Sequence, residues 1–262
     1  MRGPARDRPG RAPHPPHRGG VGDRASFAAL PSPRQIRSEA VDKPGVSPRL
    51  YGIVQGASRE NAARILIETE RLLRIYGHRK VTVADIADAC DFSAANVYRY
   101  FSSRRAILDA LASHYLRETE RAALACAISN RHAARDRLSG FLTGLNTALM
   151  TFADCEPRIS ALLADATAEQ WPRYSHYDAR LVHHITRILA AASASGEFRL
   201  VGDAGQEARR VKAAACALVE PDVILSCRDR YDASTREAVS QLIAAALSNQ
   251  SVSPSRASSY AD

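Results

Sequence analysis

From residue 58 onward, apolar positions recur at helical spacing. Ala62, Ile65, Leu66, Thr69, Leu72, Leu73 and Tyr76 follow the i, i+3, i+4, i+7 rule that lays one buried stripe along a helix. Ser58 is placed to cap that helix and Gly77 to stop it. The same periodicity predicts helices at 83–90, 94–101, 103–128, 133–153, 157–168, 172–195, 204–219 and 232–248, with Pro157, Pro172, Gly196 and Pro221 at the breaks. No later stretch alternates apolar and polar residues as a half-buried strand would. The expected fold is all-α, without internal repeats.

Composition changes the picture mainly at the ends. Residues 1–57 hold nine of the thirteen prolines and eight of the fourteen glycines. Such a stretch buries too little surface to offset its ordering entropy, so it is expected to be a disordered basic tail. It reads either as an arm adding nonspecific affinity for a polyanion or as sequence ahead of the natural start. Three lysines against thirty-three arginines speak for the second, as the mark of a GC-rich coding sequence. Residues 251–262 are expected to form a second tail. Net charge is +8, made up of +6 over residues 1–57, +3 over 58–106 and −1 over the rest. Basic segments on a near-neutral body suit a polyanionic partner such as DNA, although solubility alone also accounts for a basic tail.

The segment 82–101 reads TVADIADACDFSAANVYRYF. Thr82 with Asp85 has capping-box form and opens a short helix that buries Ile86 and Cys90. The chain turns through Asp91 and Phe92, and Ser93 caps the next helix, whose Val97 and Phe101 face inward. Two short helices joined by a tight turn, walled by the helix at 59–76, make helix-turn-helix geometry. The head of the second helix must approach base edges, and Ala94 and Ala95 are small enough to allow it. Asn96 can pair with adenine, and Arg99 with guanine or a phosphate. Tyr98 and Tyr100 suit phosphate contacts that fix register. Thr82, Ser93 and Ser102 sit at helix starts where backbone N–H groups favour phosphate, and Arg104 and Arg105 add charge nearby. Taken singly, the tyrosines could be core and Arg99 a solvated charge; the ordered set is what points to duplex DNA.

Residues 61–108 resemble the DNA-binding domain of the TetR family of repressors. The resemblance rests on Gly77-His78, Thr82-Val83-Ala84-Asp85-Ile86-Ala87, Phe92-Ser93, Val97-Tyr98-Arg99-Tyr100-Phe101 and Ser103-Arg104. Asp91 stands where the family has a turn glycine, a position it can fill in left-handed conformation at modest cost. His78 replaces an aromatic, Arg104 a lysine, and Ala95-Asn96 a Gly-Thr pair, which alters the expected operator sequence and not the mode of binding.

That likeness implies a helix-turn-helix domain at 58–104 and a helical ligand-sensing and dimerising domain at 105–250. The Ala-rich segments 211–225 and 237–247 would pack across a homodimer, or else serve as plain core. A two-fold dimer would hold its reading helices about 34–36 Å apart, one turn of B-DNA. A pocket is implied among the middle helices, with Tyr115, Phe141, Leu145, Met150, Phe152, Trp171, Tyr174, Tyr177 and His183 as candidate lining, each also readable as core. The expected function is a repressor released by a small, mainly apolar inducer, with a ligand-independent architectural DNA binder as the alternative.

Other chemistries find little support. The five cysteines (Cys90, Cys126, Cys155, Cys216, Cys227) never show C-x-x-C spacing and read as reduced, mostly buried thiols. His176 and His183 could share a helix face, but His183 and His184 point about 100° apart, a poor metal site. No cofactor or catalytic role is expected. No apolar run is long enough to cross a bilayer, and the N-terminus lacks a signal-like apolar region, which together predict a cytoplasmic protein.

Overall fold

A computed structural model describes residues 59–129 and 133–248; the two expected tails and the Ser58 cap lie outside them. Within the described residues the chain is helical: α1 (Arg59–Tyr76), α2 (Val83–Ala89), α3 (Ala94–Tyr98), α4 (Arg104–Ser129), α5 (Ala134–Cys155), α6 (Pro157–Ala168), α7 (Pro172–Ala194), α8 (Ala204–Ala214), α9 (Cys216–Val219), α10 (Pro221–Cys227) and α11 (Ala233–Ser248). The all-α expectation holds.

The stripe on α1 is buried from Ala62 to Leu73, but Tyr76, expected inside with it, is 57% exposed. The covered face ends at Leu73; Gly77 then turns the chain away in the left-handed region, φ +80°, its N–H donating to Leu73 O at 2.8 Å. Three prolines start helices at their first turn, at Pro157, Pro172 and Pro221, where a missing N–H costs nothing. Pro221, expected to lie in a break between helices, starts α10, which the periodicity does not predict. The predicted helix at 204–219 is split at Ala215 into α8 and α9.

The long helix α4 is the body's spine. It packs closely on α5 at Gly144, where a Cβ would lie 2.9 Å from Ala123 Cα. On its other sides it meets α7, α6 and, towards the N-terminal unit, α1. At the far side α11 lies on α5, with Ser240 Oγ 3.0 Å from Ser139 Oγ and 2.9 Å from Thr143 Oγ1. All five cysteines are free thiols, but only Cys90 is buried; Cys155 and Cys216 are exposed, which corrects the expectation of mostly buried thiols. No helix of the described residues is long and apolar enough to cross a membrane.

Candidate nucleic-acid interface

The Thr82 cap forms as its sequence implies. Thr82 Oγ1 accepts from Asp85 N at 3.2 Å, and Thr82 N donates back to Asp85 Oδ2 at 2.8 Å. The backbone N–H of Thr82, with its hydroxyl at 2.7 Å from the same oxygen, holds the Asp85 carboxyl below the usual carboxylate range. α2 then buries Ile86 and Ala87 and ends on the buried Cys90, whose thiol burial pushes up to about 11.

The turn is made by Asp91 at φ +53°, the left-handed conformation expected of it. Its carboxylate pairs with Arg64 at 3.1 Å, and the same guanidinium lies 5.4 Å above the Phe92 ring. α1 thus holds the turn from outside through one arginine. Ser93 Oγ accepts from Asn96 N at 3.1 Å and starts α3. Val97 and, beyond the helix end, Phe101 enter the core.

Opposite Val97, Ala94, Ala95, Tyr98 and Arg99 are exposed and follow i, i+4 spacing, so they form one continuous stripe. Thr82 and Ser93 are exposed at the heads of their helices, and Asn96 is half-buried. Tyr100 is also half-buried, its hydroxyl accepting from Asn61 Nδ2 at 2.9 Å. The structure gives Arg104 another task than the phosphate contact expected of it. Its Nε and one terminal nitrogen donate to the carbonyls of Val81 and His78, bracing the loop before α2. Arg105 faces the body, paired with Glu169 at 2.9 Å and stacked 4.7 Å over Trp171. The cap of α4 is Ser103, whose Oγ accepts from Ala106 N at 3.0 Å, and not Ser102.

Two links between this unit and the body have no sequence signal, because their partners lie 41 to 87 residues apart. His78 Nε2 is 2.7 Å from Asp165 Oδ2 on α6, and Arg79 donates to both oxygens of that carboxylate at 3.1 and 3.0 Å. The Arg79 bonds, helped by His78, lower the Asp165 pKa from its ordinary value. Arg74, near the end of α1, donates to Glu70, to Tyr115 Oη on α4 at 3.1 Å and to Glu156 at the head of α6 at 3.1 Å. Tyr115 donates in turn to Glu70 at 2.7 Å.

The candidate pocket residues take several different places in the body. Phe141, Leu145, Trp171 and Tyr177 are packed in the core, Met150 and Phe152 lie against it, Tyr115 belongs to the Arg74 link, and His183 is exposed on α7. Tyr174 lines a cavity of about 270 Å³ between the end of α6, α7, α8 and the start of α10. Its other walls are Thr167, Gln170, Asp178, Lys212, Glu220, Asp222 and Val223, a charged lining that sequence periodicity could not reveal. Among the described residues no three His, Cys, Asp or Glu side chains group to hold a metal ion.

Comparisons agree with this arrangement. The family described as "Bacterial regulatory proteins, tetR family" matches residues 65–111, and "Tetracyclin repressor-like, C-terminal domain" matches 134–240, together more than half of the chain. No curated protein matches. Among solved structures, a protein of Pseudomonas aeruginosa PAO1 described as a transcriptional regulator is similar at TM-score 0.55 and 13% identity, over 76% of this chain and 94% of its own. One from a Rhodococcus species described as a TetR-family transcriptional regulator gives TM-score 0.51 at 20% identity, over 72% and 98%. The fatty acid degradation regulator FadR of Bacillus halodurans gives 0.51 at 12%, over 74% and 96%. At such identities the likeness shows the fold alone. The two family matches, on a chain that forms the capped helix pair they describe, show that it belongs to the tetR family of DNA-binding bacterial transcriptional regulators.

Proposed function

We propose that this protein is a dimeric repressor that seats α3 in the major groove of an operator and is released when a small molecule binds the body. The observation that carries the reading is the exposed stripe of Ala94, Ala95, Tyr98 and Arg99 opposite buried Val97. Two methyl-sized residues at the head of the helix let the backbone approach base edges; Tyr98 and Arg99 reach outward for phosphate or guanine. Asn96 remains a candidate for adenine, Thr82 and Ser93 for phosphate at their helix heads, and Tyr100 for a phosphate contact oriented by Asn61.

The links to α6 supply a route for control. Thr167 lies two residues beyond Asp165, and Asp165 holds the His78-Arg79 loop that leads into the Thr82 cap. A ligand that favours a different seating of α6 would shift the reading helices, by no more than its difference in affinity for the two arrangements. The lining of the cavity favours a polar ligand over the apolar one that the sequence suggests. Dimer formation is supported by the exposed small or apolar residues Ala238, Leu242 and Ala246 on α11 and Ala213 and Ala214 on α8. A gel shift with the DNA upstream of the protein's own coding sequence tests the reading. Wild type should retard it and Arg99→Ala combined with Tyr98→Ala should not; equal retardation by both would contradict the docking.

A further inference from the structure

Helix α3 has only five residues, too few to fix its own orientation. Val97 and Phe101 anchor it to the core, but they stand four apart on one line along its axis. Roll about that line must be set by other contacts, and roll decides which side chains face outward. Phe92 ahead of α3 and Tyr100 behind it are half-buried against the same core, and each is met by a side chain of α1. Arg64 binds the Asp91 carboxylate at 3.1 Å and lies 5.4 Å over the Phe92 ring. Asn61 Nδ2 donates to Tyr100 Oη at 2.9 Å. Asn61 and Arg64 are three residues apart, so they are neighbours on one ridge of α1, beside its buried stripe. One ridge therefore holds both ends of the short helix.

We propose that Asn61 and Arg64 are positioning residues for DNA recognition. From α1 they set the roll of α3, and so which of its side chains meet base edges, without touching DNA themselves. The inference rests on seating α3 in the groove and deepens that reading. Neither residue belongs to the core: both are exposed, and an ion pair with side chains 46% and 88% exposed adds little stability. The turn needs Arg64 more than the core does. Asp91 is held at φ +53°, a conformation that glycine adopts freely and a residue with a side chain adopts at a cost. With its charge on Asp91 and its plane on Phe92, the Arg64 guanidinium is engaged within the protein and not offered to a phosphate. Glu68, one turn further along α1, is taken by Arg71 at 2.8 Å and does not compete for it.

Fluorescence anisotropy of the full chain tests this on a duplex that the protein selects from a random pool and on a scrambled duplex of equal length. Arg64→Ala should weaken the selected duplex about tenfold, the loss of one base contact, and the scrambled duplex less than about twofold. The melting temperature should stay within a few degrees and the salt dependence should not change. A phosphate contact would instead weaken both duplexes alike and lower the salt slope by about one; that result would overturn the proposal. Asp91→Gly supplies a second-site check, because glycine holds the turn unaided. In that background Arg64→Ala should lower affinity less than about threefold, and an equal tenfold loss in both backgrounds would overturn the role through the turn. Asn61→Ala tests the other end, and decides alone should Arg64→Ala fail to fold. Its loss of about threefold or more should disappear in Tyr100→Phe, where the accepting hydroxyl is gone; an undiminished loss there refutes the clamp. Ala95→Glu separates this proposal from the seating of α3. Loss of the selected duplex in Ala95→Glu but in neither α1 variant refutes the positioning and keeps the seating, whereas retention by Ala95→Glu refutes both.

Discussion

Arg104 donates its Nε and one terminal nitrogen to the carbonyls of Val81 and His78, while Arg99, five residues earlier, keeps its side chain in solvent. The same functional group therefore meets two different tests. Arg99→Ala should lower affinity for a selected duplex about 10- to 100-fold, the roughly 1–3 kcal/mol of one good base or phosphate contact, at nearly unchanged melting temperature. Arg104→Ala should instead lower the melting temperature, since charge-assisted bonds to backbone carbonyls contribute about 1.5–3 kcal/mol each. Thermal denaturation beside fluorescence anisotropy separates the two. Cysteine labelling gives a second residue-scale check. Burial pushes the Cys90 thiol up to about 11 and shields it, whereas Cys155 and Cys216 are exposed. Iodoacetamide at pH 8 should modify Cys155 in the native protein and reach Cys90 only after unfolding. Rapid native labelling of Cys90 would contradict the packing of α2.

At the scale of elements, Asp165 fastens α6 to the loop before α2. Its pKa is depressed by Arg79, so its contribution is present above the ordinary carboxylate value of 3.8 and is lost as pH falls through the lower folded value. Wild type should therefore be more stable than Asp165→Asn at neutral pH, and the difference should start to shrink below about pH 4 and vanish only once the pH lies below the depressed folded value. Chemical denaturation across that range measures it; a difference independent of pH would show that the carboxylate charge is not what holds the latch. Gly144→Ala probes the α4–α5 seam, where the new Cβ would lie 2.9 Å from a backbone carbon that cannot swing aside. A destabilisation of about 1–3 kcal/mol is expected. Most helices were legible from the sequence because their signals are local: the Thr82 and Ser93 caps, the Gly77 stop, the prolines at 157 and 172. The interruption at Ala215 was not, because nothing in the Ala-rich run marks it. A straight helix would separate Lys212 and Glu220 by about 12 Å along its axis. The break at Ala215 lets Glu220 return to Lys212, an ion pair whose reach is tertiary.

At the scale of the whole molecule, the helix-turn-helix unit was legible and the cavity of the body was not, for the same physical reason. A helix-turn-helix is built from contacts within about forty residues, so its caps, turn and buried positions leave their spacing in the chain. The body's cavity is assembled from four separate stretches of sequence. Its aromatic residues announced themselves by size and proved mostly to be core, while the charged wall was dispersed among ordinary surface residues. Two-fold pairing belongs to this scale as well. Leu242 is 68% exposed on α11, and Leu242→Glu should convert a dimer to a monomer in sedimentation velocity while helical content is retained. An unchanged dimer would move the interface elsewhere.

The most direct test is the affinity of wild type and of an α3 variant, Ala95→Glu, for one selected duplex, measured by fluorescence anisotropy at two salt concentrations. Ala95 is exposed, so the added carboxylate should leave the fold intact and meet phosphate and base edges head-on. The account predicts at least a hundredfold loss of affinity at low salt with an unchanged melting temperature. Equal affinity in a folded Ala95→Glu protein would mean that α3 does not enter the groove.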